Sequence, residues 1–226
     1  MLFRTTGCLA LSVFVIFSSG TYSIAESRTE TRKLTQSPKK MADIKGFRSA
    51  RFGMKERDVY KAISKDFKIS RNNIKRETHP IEKTTTLRIS VPELLKIGGK
   101  AKVFYILGYK SKKLIQVNVV WGAGAGVKNN SQEIVNLANF LRIHLAKKQY
   151  QKDMFVANAR LNDSTTIIFR GKDKKNRMAL LTLNAVQQTN AEAEKKPAQV
   201  FSLNLSYMLD PKNSDIFTIK IKDDDF

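Results

Sequence analysis

Histidine is the side chain most often placed to move protons near neutral pH, and this chain has two. His79 lies in polar sequence directly before Pro80, and His144 follows Leu141 by three residues at the margin of an apolar stripe. Neither is bracketed by the Ser, Cys or carboxylate that would complete a nucleophile–base pair. A zinc site would need further His or Cys ligands at close spacing. An enzyme reading would rest on a carboxylate site such as Asp58 or Glu93, in a deep pocket with converging acidic groups. Asp223, Asp224 and Asp225 are consecutive, so they point in different directions and lack the spaced loop of a calcium site. The run Gly122-Ala123-Gly124-Ala125-Gly126 precedes a helical pattern, where free N–H groups attract anions. It is not G-x-G-x-x-G, however, and no P-loop lysine-serine follows it. The expectation is a non-enzymatic protein with no cofactor and no metal.

Charge is the stronger signal. There are 41 Lys+Arg against 20 Asp+Glu, a formal net charge of +21, which favours long-range attraction to anionic partners. Two lysine clusters stand in equivalent settings, Lys110, Lys112 and Lys113 in one and Lys172, Lys174 and Lys175 in the other. FYILGYKSKKLIQVNVV lies over IIFRGKDKKNRMALLTLNA as apolar strand, glycine with lysines, apolar strand. These six lysines are the candidate contacts to an anionic partner. Aromatic side chains that would stack on bases are not interleaved with them, which argues against nucleic acid. The partner classes left are an acidic envelope protein, or an anionic lipid or lipopolysaccharide.

Both clusters need hairpins to present them. From Val103 to Trp121 two apolar strands flank the polar turn Tyr109 to Lys113, and Ile115, Val117, Val119 and Trp121 alternate with Gln116 and Asn118, the period of a half-buried strand. Thr165 to Phe169 and Met178 to Val186 flank the second turn, Gly171 to Asn176. Further strands are expected at Thr84 to Val91, at Gln199 to Leu209, where Phe201, Leu203, Leu205 and Tyr207 alternate with polar residues, and at Ile216 to Ile221 as a closing edge. Val59, Ala62, Ile63 and Phe67 recur at helical spacing and predict a helix over Lys55 to Asp66. Ile134, Leu137, Ala138, Leu141 and Leu145 predict a second, opened by Asn130 and Glu133 at capping-box spacing and running to about Lys148. Arg71 to Lys83 reads as a loop, because the residue before Pro80 is pushed out of the helical region.

The first 25 residues read as a secretory signal peptide, with Arg4 ahead of an apolar run from Leu9 to Phe17 and a small-x-small site at Ser23-Ile24-Ala25. Cleavage is expected between Ala25 and Glu26, and it would remove Cys8, the one cysteine. A mature exported chain without thiols must be held by core burial, and it suits a bacterial periplasm. No membrane-spanning segment is expected after cleavage, since the apolar run is shorter than the roughly 20 residues a span needs. The expected organisation is a signal peptide over 1–25, a disordered lead over 26–45, and a first α+β unit over 46–121. A Gly-rich hinge over 122–130, a second α+β unit over 131–222 and an acidic tail over 223–226 complete it. Gln187 to Pro197 reads as a polar linker inside the second unit. The expected fold class is α+β, two tandem helix-plus-three-strand units with their helices packed on one face of antiparallel sheet.

That arrangement resembles the fold of the β-lactamase inhibitor protein and of the small outer-membrane assembly lipoprotein family SmpA/OmlA (BamE). The residues that carry the likeness are Phe52-Gly53-Met54 with Val59 five positions on, similar to that family's Gly-Met-x-x-x-x-Val helix start. The family's Leu-Gly-x-Pro after the helix is replaced here by Lys65 to Ile69, and its lipidated cysteine is missing. The block from Gly46 to Trp121 also resembles uncharacterised secreted proteins of alphaproteobacteria, which implies a compartment and no activity. Together these readings give the expected function: an exported envelope protein acting as a protein-interaction module. The alternative is a binder of anionic envelope ligands through the basic turns.

Overall fold

The computed structural model describes residues 39–127, 130–152, 156–187 and 199–219. The signal segment 1–25, the lead up to 38, the greater part of the linker and the acidic tail 223–226 lie outside the described residues.

A two-residue ribbon, β1 (Gly46–Phe47) with β2 (Ala50–Arg51), leads into helix α1 (Glu56–Phe67). Glu56 and Asp58 sit in its first turn and Lys65 in its last, each at the end of the helix dipole that favours its charge. The helix stops where Lys68 turns left-handed, at φ 57°. Four strands follow: β3 (Lys75–Thr78), β4 (Thr85–Leu95), β5 (Gly99–Leu107) and β6 (Leu114–Gly122). Helix α2 (Ser131–Ala146) is capped by Asn130, whose side chain accepts a 2.9 Å hydrogen bond from the Gln132 amide. The chain closes with β7 (Ala159–Arg160), β8 (Thr165–Lys172), β9 (Met178–Gln187) and β10 (Gln199–Met208).

The last eight strands form one antiparallel sheet in the order β3-β4-β5-β6-β10-β9-β8-β7. Alternation along each strand sends one set of side chains to the core. Their register is continuous: Ile89 faces Val103, Val103 faces Val119, Val119 faces Leu205, Leu205 faces Leu181 and Leu181 faces Phe169. All six are buried, and Val59 and Ile63 of α1 and Ile134 and Leu137 of α2 join the same core. A fully buried side chain of this kind contributes about 1.5–3 kcal/mol, so the row stabilises six of the sheet's eight strands. On the opposite face Ile106, Gln116, Asn118, Leu180 and Asn204 are half-buried.

The expected pair of helix-plus-three-strand units is therefore corrected. Among the described residues the fold is mostly β, two helices against ten strands, with one eight-stranded sheet and one two-stranded ribbon. The physical reason is β10. It bonds β9 along one edge and β6 along the other, so it cannot belong to a three-strand unit of its own. Gly122 lies where β6 and β10 meet. It has a φ of 72°, and a Cβ there would stand 2.3 Å from the Phe201 carbonyl oxygen, so the stretch expected as a hinge is, over 122–126, pressed against β10.

Three smaller expectations also change. Lys75–Thr78, read as loop, pairs with β4 as an edge strand whose side chains are all exposed, which is why no apolar period marked it. Residues 39–45, read as part of a disordered lead, are tied down: the Ala42 amide donates to the Gln149 carbonyl, and Ala42 and Ile44 are buried. Ile216 to Ile219 alternate in sequence but form no strand; the Phe217 amide donates to the Glu82 carbonyl instead of entering a ladder. Among the described residues no helix is long and apolar enough to cross a membrane.

Candidate anionic-partner site at one end of the sheet

Because β6 and β9 both run antiparallel to β10, the turn entering β6, the turn entering β9 and the exit of β10 lie at the same end of the sheet. That places both lysine clusters on one rim. Each is built around a carboxylate.

The first turn spans 108–113 and is closed by a 2.9 Å bond from the Gly108 amide to the Lys113 carbonyl. Its backbone amides form a nest that Asp215 fills: Oδ1 accepts from the Lys110 amide and Oδ2 from the Ser111 amide, both at 2.9 Å. The Tyr109 amide donates to the Asp215 carbonyl at 2.8 Å. A Cβ on Gly108 would come 2.1 Å from Asp215 Oδ2, so the fit requires glycine. Burial alone would raise the Asp215 carboxyl, but the hydrogen bonds from Ser111 and Lys110 outweigh it and hold the group below the usual carboxylate range. Phe217 then packs edge-on against Tyr109, ring centroids 5.5 Å apart, and fastens the segment after β10 to this turn.

The second turn spans 173–177 and is organised from within. Asp173, only 1% exposed, accepts from the Lys175 amide at 2.8 Å and the Arg177 amide at 3.0 Å through Oδ1. Its Oδ2 accepts from Arg177 Nε at 2.8 Å and from the Ile44 amide at 2.9 Å. Arg177 also pairs with Asp43, so this turn holds the chain entering β1 in place.

Between the turns lies a cavity of about 610 Å³, roofed by the segment 209–215. Asp210 closes that segment on itself, its Oδ1 accepting from the Lys212 and Asn213 amides at 3.0 Å each. The Asn213 amide is the main cause that holds the Asp210 carboxyl below its ordinary range, with Lys212 and the Lys172 charge adding to it. Lys172, Lys175 and Lys212 line the cavity. The acidic groups there are thus occupied by backbone donors, while the ammonium groups remain available.

The six lysines expected as contacts divide into two groups. Lys110, Lys112, Lys113, Lys174 and Lys175 are exposed on the rim, and of these only Lys175 lines the cavity. Lys172 is not in the turn at all. It ends β8, is 8% exposed, and faces the side of the sheet away from the core, since its neighbour Gly171 packs under the Tyr150 ring on the core side. Lys212, Asp210 and Asp215 were not singled out from sequence. The signal was present in Asp210-Pro211-Lys212-Asn213-Ser214-Asp215, a run of turn formers between two alternating stretches. His79 accepts from the Glu82 amide at 3.0 Å in the β3–β4 turn, and His144 is exposed on α2. Asp58 lies 3.8 Å from Arg57, and Glu93 is exposed.

No protein-family model matches the chain, and neither does any curated protein or solved structure.

Proposed function

We propose that this is an exported, non-enzymatic envelope protein that docks an acidic protein partner with the lysine-bearing end of its sheet. The observation that carries the reading is the convergence of both lysine turns on one rim, each preformed by a carboxylate already engaged, Asp215 by backbone amides and Asp173 by amides and Arg177. A preformed basic rim attracts and orients an acidic surface without first having to order itself. Export rests on the first 25 residues, with cleavage between Ala25 and Glu26 and a periplasmic or secreted destination.

The test is capture from Gram-negative envelope extract by the mature protein at low and at high salt, beside a variant carrying Lys110→Glu, Lys112→Glu and Lys113→Glu. A protein retained at high salt by the unaltered chain and lost from the variant supports the reading, because packed interfaces outlast screening and charge reversal on the rim abolishes docking. Retention by both chains alike would refute it.

One observation favours a second reading, a binder of anionic envelope ligands such as lipopolysaccharide or acidic phospholipid. Lys172 is buried at the wall of the cavity and does not stand on the rim, a placement suited to a group that enters the protein.

A further inference from the structure

Lys172 carries a long cationic side chain at 8% exposure, and among the described residues no carboxylate stands within ion-pair distance of it. Its stem is covered while its ammonium group is not among the buried unpartnered polar atoms, so the charge reaches solvent at the cavity and is free to meet an anion. Asp210 feels the Lys172 charge, but its Oδ1 is taken by two amides and its Oδ2 meets the Asn213 side-chain amide at 3.4 Å. Around the same cavity Lys175 and Lys212 add two more cations, and Asn176 and Asn213 add amide donors. The walls are not wholly polar. Ile115, Leu209 and Pro211 contribute an apolar side. A cavity of about 610 Å³ falls within the range of small-molecule sites, about 300–1,000 Å³.

We infer that this cavity binds the phosphate group of an organic phosphate ester, with Lys172 as its anchor at the cavity wall, Lys175 and Lys212 closing on the remaining oxygens, and Ile115, Leu209 and Pro211 against the carbon portion. The inference rests on the anionic-ligand reading above and gives it a place and a chemistry. A phosphate ester matches the wall better than bare phosphate does, because a bare ion would leave the apolar side unfilled. It also matches better than a carboxylate, since three ammonium groups can engage three phosphate oxygens. The ester can be soluble or the headgroup of a lipid.

Calorimetric titration of the full chain with glycerol 3-phosphate, with glycerol as the uncharged control, tests the soluble source. Flotation with phosphatidylcholine vesicles with and without phosphatidic acid tests the lipid source. Saturable binding in either arm is expected, weakened about tenfold or more by Lys172→Gln, the loss of one charge-assisted contact. Lys112→Gln, on the rim, should change it by less than about twofold. Lys212→Gln, exposed and in a loop, gives a second cavity variant whose folding is not at risk, and it should also weaken binding. Binding only to phosphatidic acid vesicles would identify a lipid headgroup, and binding only to glycerol 3-phosphate a soluble ester. No saturable binding in either arm, or equal losses from Lys172→Gln, Lys212→Gln and Lys112→Gln, would overturn the inference. If anionic vesicles are bound in a salt-sensitive way that Lys172→Gln leaves unchanged, the broader anionic-ligand reading stands and the cavity site falls. If neither anionic vesicles nor the ester bind at low salt, both fall.

Discussion

In the turn at 173–177 the organising carboxylate belongs to the turn itself and is 1% exposed, whereas in the turn at 108–113 it is supplied by Asp215, more than a hundred residues further along the chain. The two turns carry the same charge at the same end of the same sheet, and they are stabilised on different scales. Asp173 ties together its own hairpin, Arg177 and the Ile44 amide, so its loss would be felt through the core around Ala42 and Ile44. Asp215 ties an exposed loop to a peripheral segment, and its loss should stay local. A self-organised buried turn is part of the global folding unit, and a turn held from outside can open by itself.

The largest expected effect follows from that contrast. Asp173→Ala removes the acceptor for two amides of its own turn and for Ile44, and it leaves Arg177, whose side chain is 12% exposed, with Asp43 alone. Breaking a buried pair from one side costs about 3–5 kcal/mol. Urea unfolding at neutral pH should show a midpoint lowered accordingly, and a loss below about 1 kcal/mol would show that Asp173 is not a structural keystone.

Next comes Gly108→Ala. The added Cβ would stand 2.1 Å from Asp215 Oδ2, so the carboxylate must leave the nest. Overpacking of this kind costs about 1–3 kcal/mol, but here the segment 209–219 can move away, so global stability should fall toward the low end. Hydrogen exchange is the sharper measurement. Protection of the Lys110 and Ser111 amides should be lost while that of Lys175 and Arg177 is kept, and Asp215→Ala should reproduce the pattern. Equal loss in both turns would erase the distinction between them.

Acid should loosen the first turn without any mutation. The Asp215 carboxyl is held below its ordinary range, so in the folded protein it binds a proton less readily than in the unfolded chain. Stability from such a group is fully present above the unfolded value, about 3.9 for Asp, and is lost as pH falls through the lower folded value. Asp210 shifts in the same direction and guards the same segment. Amide resonances of Tyr109, Lys110 and Ser111 should therefore begin to move below about pH 4. Movement that begins well above this would mean that Asp215 is not the group in the nest.

The half-buried strands were legible in the sequence because alternation is a local signal; Val103 to Trp121 and Phe201 to Tyr207 lie where their patterns put them, while the exposed edge β3 carried no such pattern. Helix α1 was expected over Lys55 to Asp66 and runs Glu56–Phe67, fixed by the spacing of Val59, Ala62 and Ile63. The order of the strands was not legible. Whether β10 closes on β9 alone or bridges β9 and β6 depends on side chains that match across the sheet, Val119 with Leu205 and Leu205 with Leu181, and any alternating apolar strand would meet that requirement. The six lysines were found by charge, but the difference between Lys172 and the rest depends on where β8 ends. Asp215 was hidden for a related reason: a carboxylate that fills a nest of distant amides leaves no mark near itself except the small residue, Gly108, that makes room for it.

The smallest effect tests how each turn solves the same backbone problem. Lys112 and Asn176 both sit in the left-handed region, at φ 55° and 62°. Asparagine visits that region readily and lysine does so at a cost of roughly 1 kcal/mol. Lys112 recovers part of it through its ammonium group, 5.2 Å from the centroid of the Tyr109 ring, an attraction of about 0.5–1 kcal/mol at an exposed site. Lys112→Asn gives the first turn the second turn's solution and removes that contact, so the two terms nearly cancel. Stability should change by about 0.5 kcal/mol or less, toward the stable side. Asn176→Lys imports the strain without the ring contact that Lys112 makes and should cost about 1 kcal/mol. An asymmetry between these two exchanges, read from paired unfolding curves, is what two differently built turns require. If the two exchanges are equal and opposite, Lys112→Asn gaining what Asn176→Lys loses, the Tyr109 contact contributes nothing and the turns are equivalent at this position.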